Sequence, residues 1–136
     1  MSDQSIVFGN LAAAADAATW QYNFVRFNTT ADQFTLATGA SGPVAIGVLQ
    51  DDPKSGEAGQ IMVMGPTKVK CDATGTAIGI GDFISCGSTG MAVISAGSAV
   101  NGIALQAVAS GASILAKVYL FPPFINMTAD LQDNTP

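Results

Sequence analysis

Short apolar runs separated by turn sequences cover most of this chain, and their spacing is the feature that most restricts its fold. From Trp20 onward, sequences rich in Gly, Asp and Ser interrupt the apolar runs at intervals of roughly 8 to 12 residues, which is typical of an all-β sandwich or barrel. The runs are rich in β-branched and aromatic residues, which suit a pleated sheet, and they show no helical periodicity. The predicted strands lie at residues 20–27, 33–37, 44–50, 60–64, 67–71, 82–86, 91–94, 102–108 and 114–121.

The strand pattern divides the chain into three parts. Residues 20–121 are predicted to form one all-β domain, a small β-barrel or sandwich of about eight to nine short strands. Residues 1–19 are predicted to be an N-terminal arm that is either extended or partly helical, since Asn10 is a suitable cap for one or two helical turns through Ala18. Residues 122–136 begin with two prolines, which end the last strand, and are predicted to be a solvated tail.

Two segments of the chain share the same order of strand, Ser-Gly turn and strand. They are VLQDDPKSGEAGQIMVM, which begins at Val48, and ALQAVASGASILAKVYL, which begins at Ala104. This likeness predicts two similar hairpins. The other interpretation is coincidence, because any two hairpins look alike in a chain that is rich in glycine and alanine.

The chain carries few charges. Of its 136 residues only 11% are charged, the formal net charge is -5, and the stretch from Phe83 to Ala116 contains no Asp, Glu, Lys or Arg. A surface with few charges loses little solvation when it packs against another subunit, so this composition favours assembly. The alternative is a monomer whose surface is covered by Ser, Thr and Gly.

The distribution of charged and apolar residues argues against several classes of partner. The five basic residues are scattered, so they form no stripe that follows the phosphates of a nucleic acid. The N-terminus shows neither the basic segment nor the apolar run of a secretory signal, and no apolar stretch approaches the roughly 20 residues that cross a bilayer. We therefore expect no nucleic acid, no membrane and synthesis in a cytoplasm.

The side chains that most catalytic schemes need are missing from the sequence. The chain has no histidine, which removes the commonest general base and the commonest metal ligand. Lys70 precedes Cys71, but neighbouring residues of a strand point to opposite faces, so the lysine does not activate the thiol. The segment DDPKSGE from Asp51 lacks the alternating oxygen ligands of a calcium loop, and no Lys-Ser or Lys-Thr follows the glycines of GTAIGIGD. We expect no enzyme activity, no cofactor and no metal.

Cys71 and Cys86 are the two cysteines of the chain. Two cysteines are too few for the disulfide framework of a small secreted protein, and they show no metal-ligand spacing, so we interpret them as small buried side chains. A disulfide between them across neighbouring strands remains the alternative, because the sequence does not fix their separation.

Four segments, taken in order, form a pattern of strands and glycine turns. They are QYNFVRF from Gln21, PVAIGVLQDDPKSGEAGQIMVMGPTKVKC from Pro43, AIGIGDFISCGSTGMAVI from Ala77 and NGIALQAVASGASILAKVYL from Asn101. Together they resemble the capsid cement, or head decoration, proteins of tailed phages. In that family a Gly-Val-Leu-Gln-type turn precedes a Gly-Glu-Ala turn, a Gly-Asp pair opens a middle strand, and a Gly-Ile-Ala-Leu strand lies near the end of the domain. The resemblance covers most of the predicted β-domain.

The resemblance implies a structural protein of the virion that binds the outer surface of a phage head and stabilises the lattice of the major capsid protein. It further implies a homotrimer on three-fold positions, where three linked contacts multiply a weak affinity. The uncharged stretch is the expected source of the trimer interface, with Ile84, Met91 and Val93 as contact positions. The alternation of these residues equally suits the core of each subunit.

Aromatic side chains are concentrated at the start of the predicted β-domain. Trp20, Tyr22 and Phe24 are spaced by two, which places them on one face of a strand. Packing into the core is the expected role of such a face, because large aromatic side chains are usually buried. The alternative function is a virion-surface carbohydrate- or host-binding module in which Trp20 and Tyr22 stack on the ligand, and the exposure of these two residues distinguishes the two functions.

Apolar residues near the N-terminus are predicted to form the main capsid-binding segment, which comprises Ser5, Ile6, Val7, Phe8 and Leu11. These residues lie outside the strand pattern, and their own short segment has no evident means of burying them. An extended arm of this kind is suited to join the edge of a sheet in a capsid subunit. The alternative is an arm that folds back on its own barrel.

Overall fold

The computed structural model describes residues 6–39, 44–95 and 100–121, and it confirms the all-β fold. No helix occurs in these ranges. The strands are β1 Ile6–Ala13, β2 Phe24–Phe27, β3 Gln33–Leu36, β4 Ala45–Leu49, β5 Ala58–Cys71, β6 Phe83–Cys86, β7 Ala92–Ile94, β8 Gly102–Ala104 and β9 Ile114–Leu120.

The strands form two closed rings that share β5. The first ring has the hydrogen-bonded order β1-β3-β2-β4-β5, and β5 pairs back to β1. The second ring has the order β5-β7-β6-β8-β9, and β9 pairs back to β5. The first ring closes through residues 58–64 of β5 and the second through residues 65–71. Each ring is thus a small barrel, and closure satisfies strand edges that an open sheet would leave free.

The two rings have the same topology. In each ring the first strand pairs in parallel with the third and antiparallel with the fifth. The second strand lies antiparallel between the third and the fourth in both rings. The closing hairpins also agree in register, because the pair Leu49 and Ile61 in β4–β5, which faces the inside of its ring, corresponds to the pair Ala104 and Val118 in β8–β9. The two hairpins predicted from the sequence repeat therefore form, as parts of a duplicated ring.

The turn before the second strand is repeated as well. Tyr22 and Gly81 occupy the same place in the two rings, and both have a positive φ, of 67° and 88°. In both turns the N–H of the next residue donates to the carbonyl three residues earlier. The prediction of a strand over residues 20–27 is therefore wrong at its start, because β2 begins only at Phe24, after this turn.

The strand β5 bends where it passes from one ring to the other. Gly65 has a φ of 115° and Pro66 follows it. The N–H of Gln50 donates to the carbonyl of Gln60 at 2.7 Å, while its side-chain Nε2 donates to Oγ1 of Thr67 at 2.9 Å. In a straight strand those two partners would lie roughly 23 Å apart, which is further than one glutamine spans. The runs at 60–64 and 67–71, predicted as separate strands, are thus one bent strand.

Residues predicted to form the N-terminal arm belong to the first ring. β1 pairs antiparallel with β5 and parallel with β3, and both Leu11 and Ala13 are buried. This is the arrangement in which the arm folds back on its own barrel. The helical interpretation of Asn10 to Ala18 is wrong, because residues up to Ala13 are in β1 and the Asp16 carboxylate accepts the N–H of Ala18 in a turn.

A separate hydrophobic core fills each ring. The first core consists of Leu11, Ala13, Ala17, Val25, Phe34, Ile46, Leu49, Ile61 and Val63. The second core consists of Phe24, Ala37, Ala45, Val48, Val69, Cys71, Ala73, Ile78, Ile84, Ala92, Ala104, Val108, Ala116, Val118 and Leu120. Consecutive residues of β2 and β4 face different cores, so the outer face of the first ring is buried beneath the second ring.

The substitution Gly65→Ala is expected to lower the free energy of unfolding by about 1–3 kcal/mol, because a Cβ is strained at this positive φ. Gly75→Ala is the matched control, since an added Cβ there meets no atom within 4 Å. Urea denaturation followed by tryptophan fluorescence measures both variants. Equal stability of the two variants would show that the bend does not depend on the backbone conformation of Gly65.

Candidate functional site

The start of β1 presents two of the predicted capsid-binding residues to solvent. Ile6 is 49% exposed and Val7 is 43% exposed. They lie opposite Met64 and Met62 of β5, whose side chains are half-buried. These four apolar residues lie at one end of the first ring, and we call them the β1 surface.

The other predicted capsid-binding residues are placed differently. Leu11 is only 9% exposed and belongs to the first core, so the folded chain does not offer it to a partner. Phe8 pairs with Ile61 through its backbone. Ser5 lies outside the described residues. The structure therefore keeps Ile6 and Val7 together on the surface and removes Leu11 from the predicted site.

Between Ile6 and Asn10, one edge of β1 has no paired strand within the described residues. β5 pairs along one edge of the strand, while β3 pairs on the other edge only with Ala12 and Ala13. Among the residues that the structure describes, no further strand covers that second edge. Free N–H and C=O groups on an edge accept an additional strand, and no charged side chain between Ile6 and Asn10 opposes such pairing.

The predicted trimer contacts divide between the core and the surface. Ile84 has 0% exposure and belongs to the second core, so it cannot contact another subunit while the chain is folded. Met91 and Val93 are half-buried. Val93 lies between Ala92 and Ile94, which face the second core, and therefore points to the outside of the ring.

Trp20, Tyr22 and Phe24 do not share one face of a strand. Trp20 is half-buried and its ring packs edge-on against Phe34, with 6.3 Å between the ring centroids. Tyr22 is half-buried in the turn with positive φ, and Phe24 is buried in the second core. The aromatic residues are thus used for packing and turn formation at three different places.

The two cysteines are free thiols that lie on opposite sides of β7. Cys71 and Cys86 both lie directly opposite Ala92, from β5 and β6 respectively. Two strand spacings, roughly 9.5 Å, separate them, which is beyond the reach of a disulfide. Burial raises the pKa of each thiol to about 11. Both side chains are therefore protonated at neutral pH and are poor nucleophiles.

Carboxylates of the second ring are held in local turns. Thr74 donates to Asp72 through its hydroxyl at 2.7 Å and its N–H at 3.0 Å, which lowers the pKa of this exposed carboxyl group. Asp82 accepts the N–H of Gly79 at 2.7 Å. Within the described ranges, no three or more Cys, Asp or Glu side chains are grouped to hold a metal ion. No helix there is long and apolar enough to cross a membrane.

Comparison with solved structures shows a protein with a similar fold. The crystal structure of the head fiber gp8.5 N base in bacteriophage phi29 aligns with a TM-score of 0.60 and 19% sequence identity, over 90% of this chain and 100% of that chain. No protein-family model and no curated protein matches the chain. At this identity the likeness establishes a shared all-β fold over nearly the whole length of both chains.

Iodoacetamide is expected to modify Cys71 and Cys86 on the order of 100-fold more slowly in the native protein than in urea at pH 8, because the raised pKa lowers the thiolate fraction. Mass spectrometry of tryptic peptides follows each cysteine separately. A native thiol that reacts at the unfolded rate would contradict the burial of that residue.

Proposed function

We propose that this chain is a structural protein of a phage head, which binds the outer surface of the capsid as a homotrimer and stabilises the lattice of the major capsid protein. The observation that carries the proposal is the fold: the base of a phage head fiber has the same fold over 90% of this chain. The sequence resemblance to capsid cement proteins points to the same class of virion component. The protein would be synthesised in the host cytoplasm and would act as part of the virion.

The β1 surface is the proposed point of contact with the capsid. Ile6 and Val7 are about half exposed, so covering them contributes roughly 1 kcal/mol each. The open edge of β1 adds main-chain hydrogen bonds if a strand of a capsid subunit pairs with it. Each contact is weak by itself, but three copies in a trimer engage the lattice together and multiply the affinity.

Binding rather than catalysis suits the chemistry of the described side chains. Cys71 is buried and Cys86 is half-buried, both thiols are neutral, and Asp72 and Asp82 are held in turns. The described surface presents exposed apolar side chains and the unpaired edge of β1 to a partner. Such features form interfaces with proteins, and the absence of charged residues between Phe83 and Ala116 keeps the cost of desolvation small.

Replacing Ile6 and Val7 together by aspartate is expected to weaken capsid binding at least roughly tenfold, because two apolar contacts are lost and charge is added at the strand edge. The measurement is co-sedimentation of the purified protein with phage heads that lack it. Circular dichroism and gel filtration confirm that the variant remains folded.

Phe27→Asp is the matched control for this experiment. Phe27 is also an exposed apolar residue of the first ring, with the same 49% exposure as Ile6, but it lies at the end of β2 rather than on β1. Its capsid affinity is expected to stay unchanged. The β1 surface is not the contact if the Ile6/Val7 variant binds normally or if both variants lose affinity equally.

Sedimentation equilibrium at micromolar concentration is expected to give three times the chain mass of 13.7 kDa. Val93→Asp is expected to shift the protein toward monomer, because it places a charge in the proposed interface. Val44→Asp is the control, since Val44 is 65% exposed and lies outside the uncharged stretch. A monomer mass for the unmodified protein, both free and released from heads, would disprove the trimer.

A further inference from the structure

An apolar row lies on the outer face of the second ring. It crosses four strands, whose residues lie opposite one another in turn: Phe83 of β6, Ile103 of β8, Tyr119 of β9 and Pro66 of β5. Residues directly opposite in neighbouring strands share one face of the sheet. Phe83 is 46% exposed and Pro66 is exposed, whereas Ile103 and Tyr119 are half-buried. We call these four residues the exposed row.

Lysines lie beside the exposed row on the same face of the sheet. Lys68 and Lys117 are exposed and lie directly opposite each other, two residues along β5 and β9 from the row. Lys70 follows on β5, and its Nζ donates to the carbonyl of Thr19 at 3.0 Å. Lys68 and Lys117 form no ion pair with a carboxylate of the described residues. Three of the five basic residues of the chain therefore share this face, whose strands carry no Asp or Glu.

Carboxylates are concentrated in the other ring. The described residues up to 64 include five Asp or Glu and two basic residues, whereas residues 65–121 include two carboxylates and three lysines. The turn between β4 and β5 carries Asp51, Asp52 and Glu57, of which Asp52 and Glu57 are exposed. Lys54 is the one basic residue of this turn, so the turn remains net negative. We call these three carboxylates the acidic turn.

A ring of the same chain covers the equivalent residues of the first ring. Phe24 and Val48 are the equivalents of Phe83 and Ile103, since each pair lies directly opposite across the second and fourth strands of its ring. Phe24 is 1% exposed and Val48 is 0% exposed, because both belong to the second core. Among the described residues no third ring covers the exposed row. A further ring is therefore the kind of partner that fits the row, and a second copy of the chain carries one.

We propose that the exposed row and its lysines dock against the first ring of a second copy of the chain, with Lys68 and Lys117 facing the acidic turn. Packing of the lysine face against the same face of another copy would bring like charges together, which is unfavourable. A contact between two different faces repeats from copy to copy and closes into a ring, such as a trimer, when the rotation allows it. The proposal rests on the homotrimer of the proposed function and names the faces that form it.

The apolar and the charged parts of this contact act differently. Covering Phe83 and Pro66 removes apolar area from water, which stabilises the contact without selecting its orientation. The lysines select the carboxylate-bearing ring of the second copy over its lysine-bearing ring. Salt screens only the charged part, so the trimer is expected to dissociate more readily at about 0.5 M NaCl than at about 0.05 M NaCl.

Charge reversal in the full-length protein tests the contact. The variants Lys68→Glu/Lys117→Glu and Asp52→Lys/Glu57→Lys are each expected to weaken trimer formation at least roughly tenfold, because opposite charges become like charges. The variant with all four substitutions is the matched control: it keeps the net charge of the unmodified protein, and it is expected to restore the trimer. Sedimentation equilibrium measures the mass of each variant, and circular dichroism verifies its fold.

Carbodiimide cross-linking locates the same contact in the unmodified protein. The reagent condenses a carboxylate and a lysine amine in contact into an amide and takes up the water as a urea. In a mixture of isotopically labelled and unlabelled chains, amides between Lys68 or Lys117 and Asp52 or Glu57 are expected to join one kind of chain to the other.

Three results would overturn the proposed contact while leaving the trimer in place. They are an unchanged trimer in both reversal variants, failure of the fourfold variant to restore the trimer, and cross-links from the two lysines to the acidic turn found only within single chains. A monomer mass for the unmodified protein would overturn the contact and the trimer together.

Discussion

Main-chain hydrogen bonding along β5 is the constraint on which the rest of the structure depends. This single strand completes the first ring and opens the second, so both cores are built against it. Its alternation is continuous: Ile61 and Val63 face the first core, and Val69 and Cys71 face the second. The bend at Gly65 turns the second ring across the outer face of the first, and this is why β4 and the first half of β2 are buried on both faces.

Much of the fold could be predicted from the sequence because its signals are local. Period-two apolar runs and glycine turns located β2 to β9, although β5 was wrongly divided into two strands because Gly65 and Pro66 are usual turn residues. β1 was not recognised as a strand, since a register shift between Phe8 and Leu11 interrupts its alternation. The alanines that follow suggested a helix, whereas Ala13 is small because it packs within the first core.

The candidate site was harder to predict because exposure is decided by tertiary packing. Ile6, Val7 and Leu11 were all predicted to bind the capsid because they are hydrophobic, but of these three only Ile6 and Val7 are exposed. Ile84, predicted as a trimer contact, is likewise buried in a core. The exposed row was missed altogether. The sequence repeat was the available signal, since aligning the two hairpins would have shown that Ile103 and Tyr119 lie in strands equivalent to β4 and β5.

Duplication of a ring explains why equivalent residues of the two rings differ in exposure. Phe24 and Phe83 are the same residue type at equivalent positions, yet one is 1% exposed and the other 46% exposed. Nothing in their local sequence causes this difference; the second ring covers Phe24, whereas no further ring among the described residues covers Phe83. Stacked units always leave a terminal face that needs a cap or a partner. Among the described residues, the β1 surface, at the start of the first ring, and the exposed row of the second ring are two such uncovered places.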